Sequence, residues 1–144
     1  MGEVRTKVKL TNAADLALLR RNMLPPDKVH FFEADALIDT GAVSLILPSF
    51  VAEQLGLARP FKQVAEYADG RREEVDVTEP VLIEVLGRKT HEEALVLGDE
   101  VILGQTTLEK TDLHVDCRER RLLPNPAHPD QPVQKVKLLN RRFS

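Results

Sequence analysis

The segment ALIDTGAVSLILP (residues 36–48) places Asp39, Thr40 and Gly41 directly after a short, mostly apolar run. Aspartate is uncommon inside strands, and a carboxylate is rarely buried without a partner. Two interpretations of Asp39 are therefore open. It is either the acid of an ordinary turn, or one half of a catalytic pair of carboxyl groups in which one group accepts a proton while the other donates one.

Other kinds of site find little support in the sequence. No histidine pairs with a cysteine or with another histidine at the spacing of metal ligands, and no Gly-rich phosphate-binding loop is present. We therefore expect no metal and no cofactor. Cys117 follows His114 by three residues, but this spacing favours a bystander thiol over a nucleophile. The remaining histidines are His30, His91 and His128.

Composition indicates one folded domain of 144 residues, with 42% apolar and 30% charged residues. Aromatic residues make up only 4% and Trp is absent, so the core must be aliphatic. The formal net charge of −3 gives no reason to expect a nucleic-acid partner. The single cysteine cannot form an internal disulfide, and neither a secretory signal nor a long apolar run is visible, so we expect a cytoplasmic protein without a membrane partner.

The first part of the chain is predicted to form strands and short helices. Alternating apolar residues from Val4 to Leu10 predict a strand with one exposed face. Asn12 is a good N-cap for a helical turn that runs to Leu19. Residues 29–39 then predict a long strand that leads directly to the acidic motif.

Short elements at close spacing continue to the end of the chain, which is typical of a sandwich or a barrel. The predicted features are a helix capped by Ser49 and stopped by Gly56, a hairpin with its turn at residues 68–71, several strands between residues 81 and 103, a helical turn at residues 105–112, a last hairpin that turns over Cys117 to Arg120, and an edge strand containing Val136 and Leu138.

Two motifs in this order resemble those of a known family. ALIDTGA (residues 36–42) resembles the active-site motif of the retropepsin-like aspartic proteases, and VILG (residues 101–104) resembles the second signature of that family. An Asp-Gly hairpin lies between them, where the family carries its flap. The segment TDLHVDCRERRLLPNP (residues 111–126) resembles the closing part of bacterial members, so the resemblance spans roughly residues 30–126.

The resemblance implies a mainly β fold, a retropepsin-like closed or folded barrel with short helices. It implies one protease domain over residues 1–144, with a core to about residue 126 and a C-terminal extension at 127–144. Because no second Asp-Thr-Gly or Asp-Ser-Gly occurs in the sequence, it also implies a homodimer whose active site is completed by the second identical chain. Residues 113–116 and 121–124 match the terminal strands that form the dimer interface in the family.

The resemblance also assigns roles to individual residues of an aspartic endopeptidase that cleaves a peptide or protein substrate. Asp39 is the catalytic residue, one from each subunit. The other assignments are support of the active-site loop by Thr40, Gly41 and Ala42, a flap over the substrate formed by Tyr67, Ala68, Asp69, Gly70 and Arg71, and a floor formed by Ile102, Leu103 and Gly104.

Alternatives remain open at this stage. The chain is a protease, or a non-catalytic peptide-binding or dimerisation module that keeps the fold, or a precursor whose terminal segment fills the cleft. Tyr67 either covers substrate or is an ordinary strand aromatic. The flap, YADGRREE (residues 67–74), is charged where viral members have a Gly-rich apolar loop, which leaves substrate preference open.

Overall fold

The computed structural model of the chain describes residues 2–137 and shows a mainly β protein with short helices, as predicted. The strands are β1 (Arg5–Asn12), β2 (Phe31–Ile38), β3 (Leu45–Leu47), β4 (Phe61–Glu66), β5 (Arg72–Val77), β6 (Val81–Val85), β7 (Arg88–Glu92), β8 (Ala94–Val96), β9 (Ile102–Leu103), β10 (Leu113–Asp116) and β11 (Arg121–Pro124). The helices are α1 (Ala13–Arg20), α2 (Ser49–Gln54) and α3 (Gln105–Thr111), with a single 3-10 turn at Pro26–Lys28.

Nine of the strands form one sheet in the order β4-β5-β8-β3-β9-β2-β1-β6-β7, and β10 pairs with β11 in a separate sheet. Within the described residues the sheet has two edges, β4 and β7, so its hydrogen bonds do not close it into the expected barrel. The physical reason lies in β4, where five of six residues are exposed. Its large apolar residues, Phe61 and Val64, are three positions apart and face opposite sides, so the strand has no continuous apolar face for closure to bury.

The core is aliphatic, as the composition predicts. Strand β1 shows the period of two on which its prediction depended, since Val8 and Leu10 are buried and alternate with exposed Lys7 and Lys9. Large side chains that are fully buried include Leu10, Leu45, Leu47 and Leu103 of the sheet and Leu55, the residue that follows α2. The core therefore lies directly beneath the strands that lead to Asp39.

Helix α1 begins where the sequence predicts. The Asn12 side chain accepts a hydrogen bond from the backbone N–H of Asp15 at 3.1 Å, and its amide donates to the Leu55 carbonyl at 2.8 Å. Asn12 is 3% exposed, so the second bond satisfies a buried donor and ties the start of α1 to the end of α2.

The start of α2 differs from the prediction that Ser49 caps it. Pro48 occupies the N-cap position in an extended conformation, and its carbonyl accepts from Val51 and Ala52. Ser49 is already the first helical residue, because proline supplies the capping backbone geometry without a side-chain bond. The helix ends as predicted, with Gly56 at φ +61°.

The chain after β11 does not form the expected edge strand at Val136, and Leu138 lies outside the described residues. The backbone of this segment is used elsewhere, since the N–H of Val133 donates to the carboxylate of Asp112 at 3.0 Å. Among the described residues, no helix is long and apolar enough to cross a membrane.

Candidate active site

Asp39 lies in the loop that begins where β2 ends. Its backbone N–H donates to the Leu103 carbonyl at 3.0 Å, which extends the parallel pairing of β2 with β9 by one residue. The chain then turns, with the N–H of Ala42 donating to the Asp39 carbonyl at 3.1 Å. Asp39, Thr40 and Gly41 are all exposed in the single chain, so the carboxylate points away from the aliphatic core.

The Asp39 side chain has a fixed orientation. Its Oδ1 accepts a hydrogen bond from the backbone N–H of Gly41 at 2.9 Å. Gly41 does not lie in the left-handed region, so its backbone conformation alone does not require glycine. A Cβ atom at Gly41 would lie 3.1 Å from Asp39 Oδ1, and the missing side chain therefore leaves room for the carboxylate.

Strand β9 brings the second motif to the first. It lies between β2 and β3, with Leu37 opposite Ile102 and Ile38 opposite Leu103 in parallel register. Ile102 also pairs with Ile46 of β3 in antiparallel register. The two sequence motifs, far apart along the chain, are thus neighbours in one sheet, and Leu103 is fully buried beneath Asp39.

Gly104 permits the closest approach in the site. A Cβ atom there would lie 2.7 Å from the carbonyl oxygens of both Ala42 and Ser44, a distance that real Cβ atoms do not reach. Because the side chain is absent, the first N–H groups of α3 reach the Asp39 loop, with Gln105 donating to the Ala42 carbonyl at 2.8 Å and Thr106 to the Val43 carbonyl at 3.1 Å. These bonds satisfy N–H groups that have no partner within the helix.

The sequence interpretation missed this contact between α3 and the Asp39 loop. It treated Gly104 as part of a floor and gave Gln105 and Thr106 no role beyond a short helix. A glycine directly before a predicted helix is a weak signal for such an approach, because glycine is also acceptable at an ordinary N-cap. Only the placement of β9 beside β3 shows which backbone Gly104 must accommodate.

A groove of about 390 Å³ begins at Thr40 and runs between α3 and β10. Leu108 of α3 forms one wall, Leu113 and Val115 form the other, and Asp112 lies at the end where the helix meets the strand. The groove therefore connects the Asp39 loop with the hairpin β10–β11.

The predicted flap is a hairpin, with β4 and β5 joined through Tyr67 to Arg71. Gly70 has φ +88°, and its N–H donates to the Tyr67 carbonyl at 2.9 Å. The backbone N–H of Arg71 and its guanidinium both donate to Asp69, and these bonds lower the pKa of that carboxyl. Ala68 and Asp69 are exposed at the tip.

The contacts of Tyr67 stay within its own hairpin. The Arg71 guanidinium lies 4.6 Å from the centre of the Tyr67 ring, and the Tyr67 hydroxyl donates to Glu73, a bond that raises the pKa of the phenol. Within residues 2–137, no hydrogen bond or ion pair joins the tip to Asp39. The structure thus brings Asp39 and Ala42 together with Leu103 and Gly104 of the predicted floor, but it joins neither to the flap by a hydrogen bond or ion pair within residues 2–137.

The comparisons with known proteins give little further information. No family model matches the chain, and no curated protein matches it. Among solved structures, the chain is similar to the solution structure of the simian foamy virus (mac) protease, with 18% sequence identity and a TM-score of 0.45, over 72% of this chain and 90% of that one. At these values the likeness assigns neither a family nor an activity to the chain.

Proposed function

We propose that this protein is a retropepsin-like aspartic endopeptidase of bacterial type, active in the cytoplasm as a homodimer, with all 144 residues in one protease domain. The observation that carries the proposal is the exposed Asp39 carboxylate on a loop whose backbone is fixed from both sides. Leu103 accepts from the Asp39 N–H, and the first turn of α3 donates to the carbonyls of Ala42 and Val43. An ordinary turn acid needs no such support.

The proposed chemistry requires two carboxyl groups in different protonation states. One ionised carboxylate takes a proton from water, while the other, protonated, polarises the carbonyl of the peptide bond. Two carboxyls held close together cannot both ionise cheaply, so they share one proton and titrate as a pair. This is the arrangement known for aspartic proteases in general. The pair here is Asp39 and its copy in the second subunit.

Two contacts and the free edges of the last hairpin support a second copy as the partner. The Ile38 N–H donates to the Val4 carbonyl at 2.9 Å, so the first residues of the chain lie beside the Asp39 loop. The Arg120 side chain contacts Gly2, which brings the tip of the β10–β11 hairpin to the same place. Each strand of this hairpin has a free backbone edge within the described residues. Unpaired edges of this kind are available to a second chain.

In the proposal an extended peptide binds between the Asp39 loops and the flaps, mainly through strand-like main-chain hydrogen bonds. Thr40, Gly41 and Ala42 hold the loop, and Ile102, Leu103 and Gly104 form its rigid floor. The hairpin tip at residues 67–71 covers the substrate after movement toward the cleft. Its charges, from Asp69, Arg71 and neighbouring residues, favour peptides with polar side chains at the covered positions.

The test is cleavage of a peptide library by the purified chain and by the Asp39→Asn variant, with mass detection between about pH 3 and pH 8, the range that brackets carboxylate titration. Because both subunits of the homodimer carry the substitution, the variant lacks the whole carboxyl pair, and cleavage should fall by at least about 10²–10⁴-fold. The Asp35→Asn variant, at an exposed position of the preceding strand β2 opposite Lys7, is the matched control and should cleave normally.

The variants also separate the proposal from its alternative. Both should retain the melting temperature and the dimer of the wild type, because Asp39 is exposed in the chain. Full cleavage by purified Asp39→Asn protein would refute the catalytic role. Peptide binding without cleavage by any variant would instead support the non-catalytic binding module.

A further inference from the structure

The Asp112 carboxylate binds three residues of the segment that follows β11. Its Oδ1 accepts from the side-chain amide of Asn125 at 2.9 Å. Its Oδ2 lies 2.7 Å from Nδ1 of His128 and accepts from the backbone N–H of Val133 at 3.0 Å. Because a carboxylate only accepts, the His128 Nδ1 carries the proton of this contact. One side chain thus fixes three points of the segment between residues 125 and 133.

Arg88 fixes the same segment from the other side. Its guanidinium donates to the carbonyls of Thr111 at 3.1 Å, Asp112 at 2.8 Å and His128 at 2.7 Å. Arg88 is 6% exposed, so this charge is buried among carbonyl acceptors and holds them in one arrangement. The first residue of β7 therefore joins the end of α3 to the segment after β11. We call the group formed by Arg88, Asp112, Asn125, His128 and Val133 the Asp112 clasp.

The clasp lies at the open end of the β10–β11 hairpin. Asp112 directly precedes β10 and Asn125 directly follows β11, and the Asn125 N–H donates to the Asp112 carbonyl at 3.1 Å. This bond extends the pairing that ends with Leu113 opposite Pro124. Asp112 also has φ +57°, a conformation that aspartate and asparagine tolerate better than most residues.

The hairpin needs such a support. Only Leu113 and Leu122 of it are buried, and it hydrogen-bonds to no strand of the large sheet within the described residues. A two-stranded hairpin without further support is at best marginally stable. Removal of the clasp should therefore loosen the hairpin. Leu113 and Leu122 belong to the hydrophobic core and should keep the hairpin attached to the folded protein.

We propose that the Asp112 clasp positions the β10–β11 hairpin for contact with a second copy of this chain, with Asp112 as the central positioning residue. This inference rests on the proposed function, because it takes the homodimer from there. It goes beyond that function in assigning a role to residues 125–133, which hold the open end of the hairpin through Asp112 and Arg88.

The test uses the full chain and three variants. Asp112→Asn keeps the backbone conformation but leaves a single side-chain acceptor for three donors, and His128→Ala removes one donor. In both, amide hydrogen exchange of residues 113–124 should be faster by about tenfold, the equivalent of one net hydrogen bond. The dimer dissociation constant from sedimentation should rise by a similar factor. In His128→Asn a side-chain N–H remains near the position of Nδ1, and both values should return toward those of the wild type.

The chain also supplies a matched control. His30 contacts Asp15 through Nδ1 at 2.7 Å, so His30→Ala removes a pair of the same chemistry between α1 and the start of β2. It should leave hairpin exchange and the dimer unchanged.

The possible outcomes separate this inference from the proposed function. Unchanged hairpin exchange in Asp112→Asn would overturn the clasp, even if the protein is a dimeric protease. Faster exchange with an unchanged dimer constant would overturn its role in assembly. A wild-type chain that neither dimerises nor cleaves peptide would overturn the proposed function and the assembly role together.

Discussion

The absent side chain of Gly104 lies against the backbone of Ala42, where a Cβ atom would be 2.7 Å from the carbonyl oxygen. Gly104 is not in the left-handed region, with φ −93°, so backbone conformation alone does not require glycine there. The contact does. It allows α3 to donate to the loop that carries Asp39, so it links the second motif to the first.

Replacement of Gly104 by alanine should therefore be more costly than an ordinary glycine substitution. The added methyl meets two backbone carbonyls that cannot rotate away, and we expect a loss of about 3 kcal/mol in the free energy of unfolding. Denaturant titration measures it. Gly98→Ala is the control, since Gly98 has φ +72° but open space around it, and should lose only about 1 kcal/mol from backbone strain. Equal losses in the two variants would argue against the contact.

The flap turn should lose its order when Asp69 is replaced by alanine. Each carboxylate oxygen accepts one hydrogen bond from Arg71, from its backbone N–H at 3.0 Å and from its Nε at 2.9 Å. The variant loses both bonds, so the turn becomes more mobile. We expect faster amide exchange of Arg71, a stability change within about 0.5 kcal/mol because the site is exposed, and a higher KM for peptide. Asp99→Ala, at another exposed turn, should change none of these. Wild-type exchange at Arg71 would contradict the prediction.

The shared proton of the proposed pair predicts a bell-shaped dependence of kcat/KM on pH. Cleavage requires the state in which one of the two Asp39 carboxyls is protonated, so the rate should fall both when the pair gains a second proton and when it loses its only one. The measurement is initial rate against pH on one good peptide, with a pepstatin-like inhibitor as a check on the site. A rate that stays flat through neutral and alkaline pH would exclude the pair.

Asp112 should make a stability contribution that survives mild acid. Hydrogen bonds from Asn125 and Val133, opposed in part by burial and supported by His128, lower the pKa of its carboxyl from 3.8 to about 2. Because the folded pKa is depressed, the contribution is fully present above the unfolded pKa and is lost only as the pH falls through the folded pKa. The stability gap between wild type and Asp112→Asn should thus be constant down to about pH 4 and shrink toward pH 2.

The check is urea unfolding of both proteins at several pH values, since the difference between them cancels the titration of the other groups. A gap that stays constant down to pH 2 would show that the Asp112 charge is not what the clasp uses. The expected persistence means that the Asp112 charge still supports the hairpin at mildly acidic pH.

Local features of this protein were predictable from the sequence. The Asn12 cap, the turn at Asp69 and Gly70, the alternation in β1 and the end of α2 at Gly56 depend on residues close in the chain, and the structure has all four. The exception at Ser49 is also local, because proline at the preceding position supplied the cap. The mainly β fold follows from these elements, and the two motifs around Asp39 and Gly104 were visible as sequence.

Their spatial relationship was decided only by the tertiary structure. Nothing near Ile102 in sequence specifies that β9 enters between β2 and β3, and nothing near His128 specifies that it binds Asp112. The open sheet edges at β4 and β7 are likewise not specified by the residues near them in sequence. The physical reason is that strand order and long-range polar contacts are fixed by which faces can be buried together across the whole chain, whereas caps and turns are fixed by the few residues that form them.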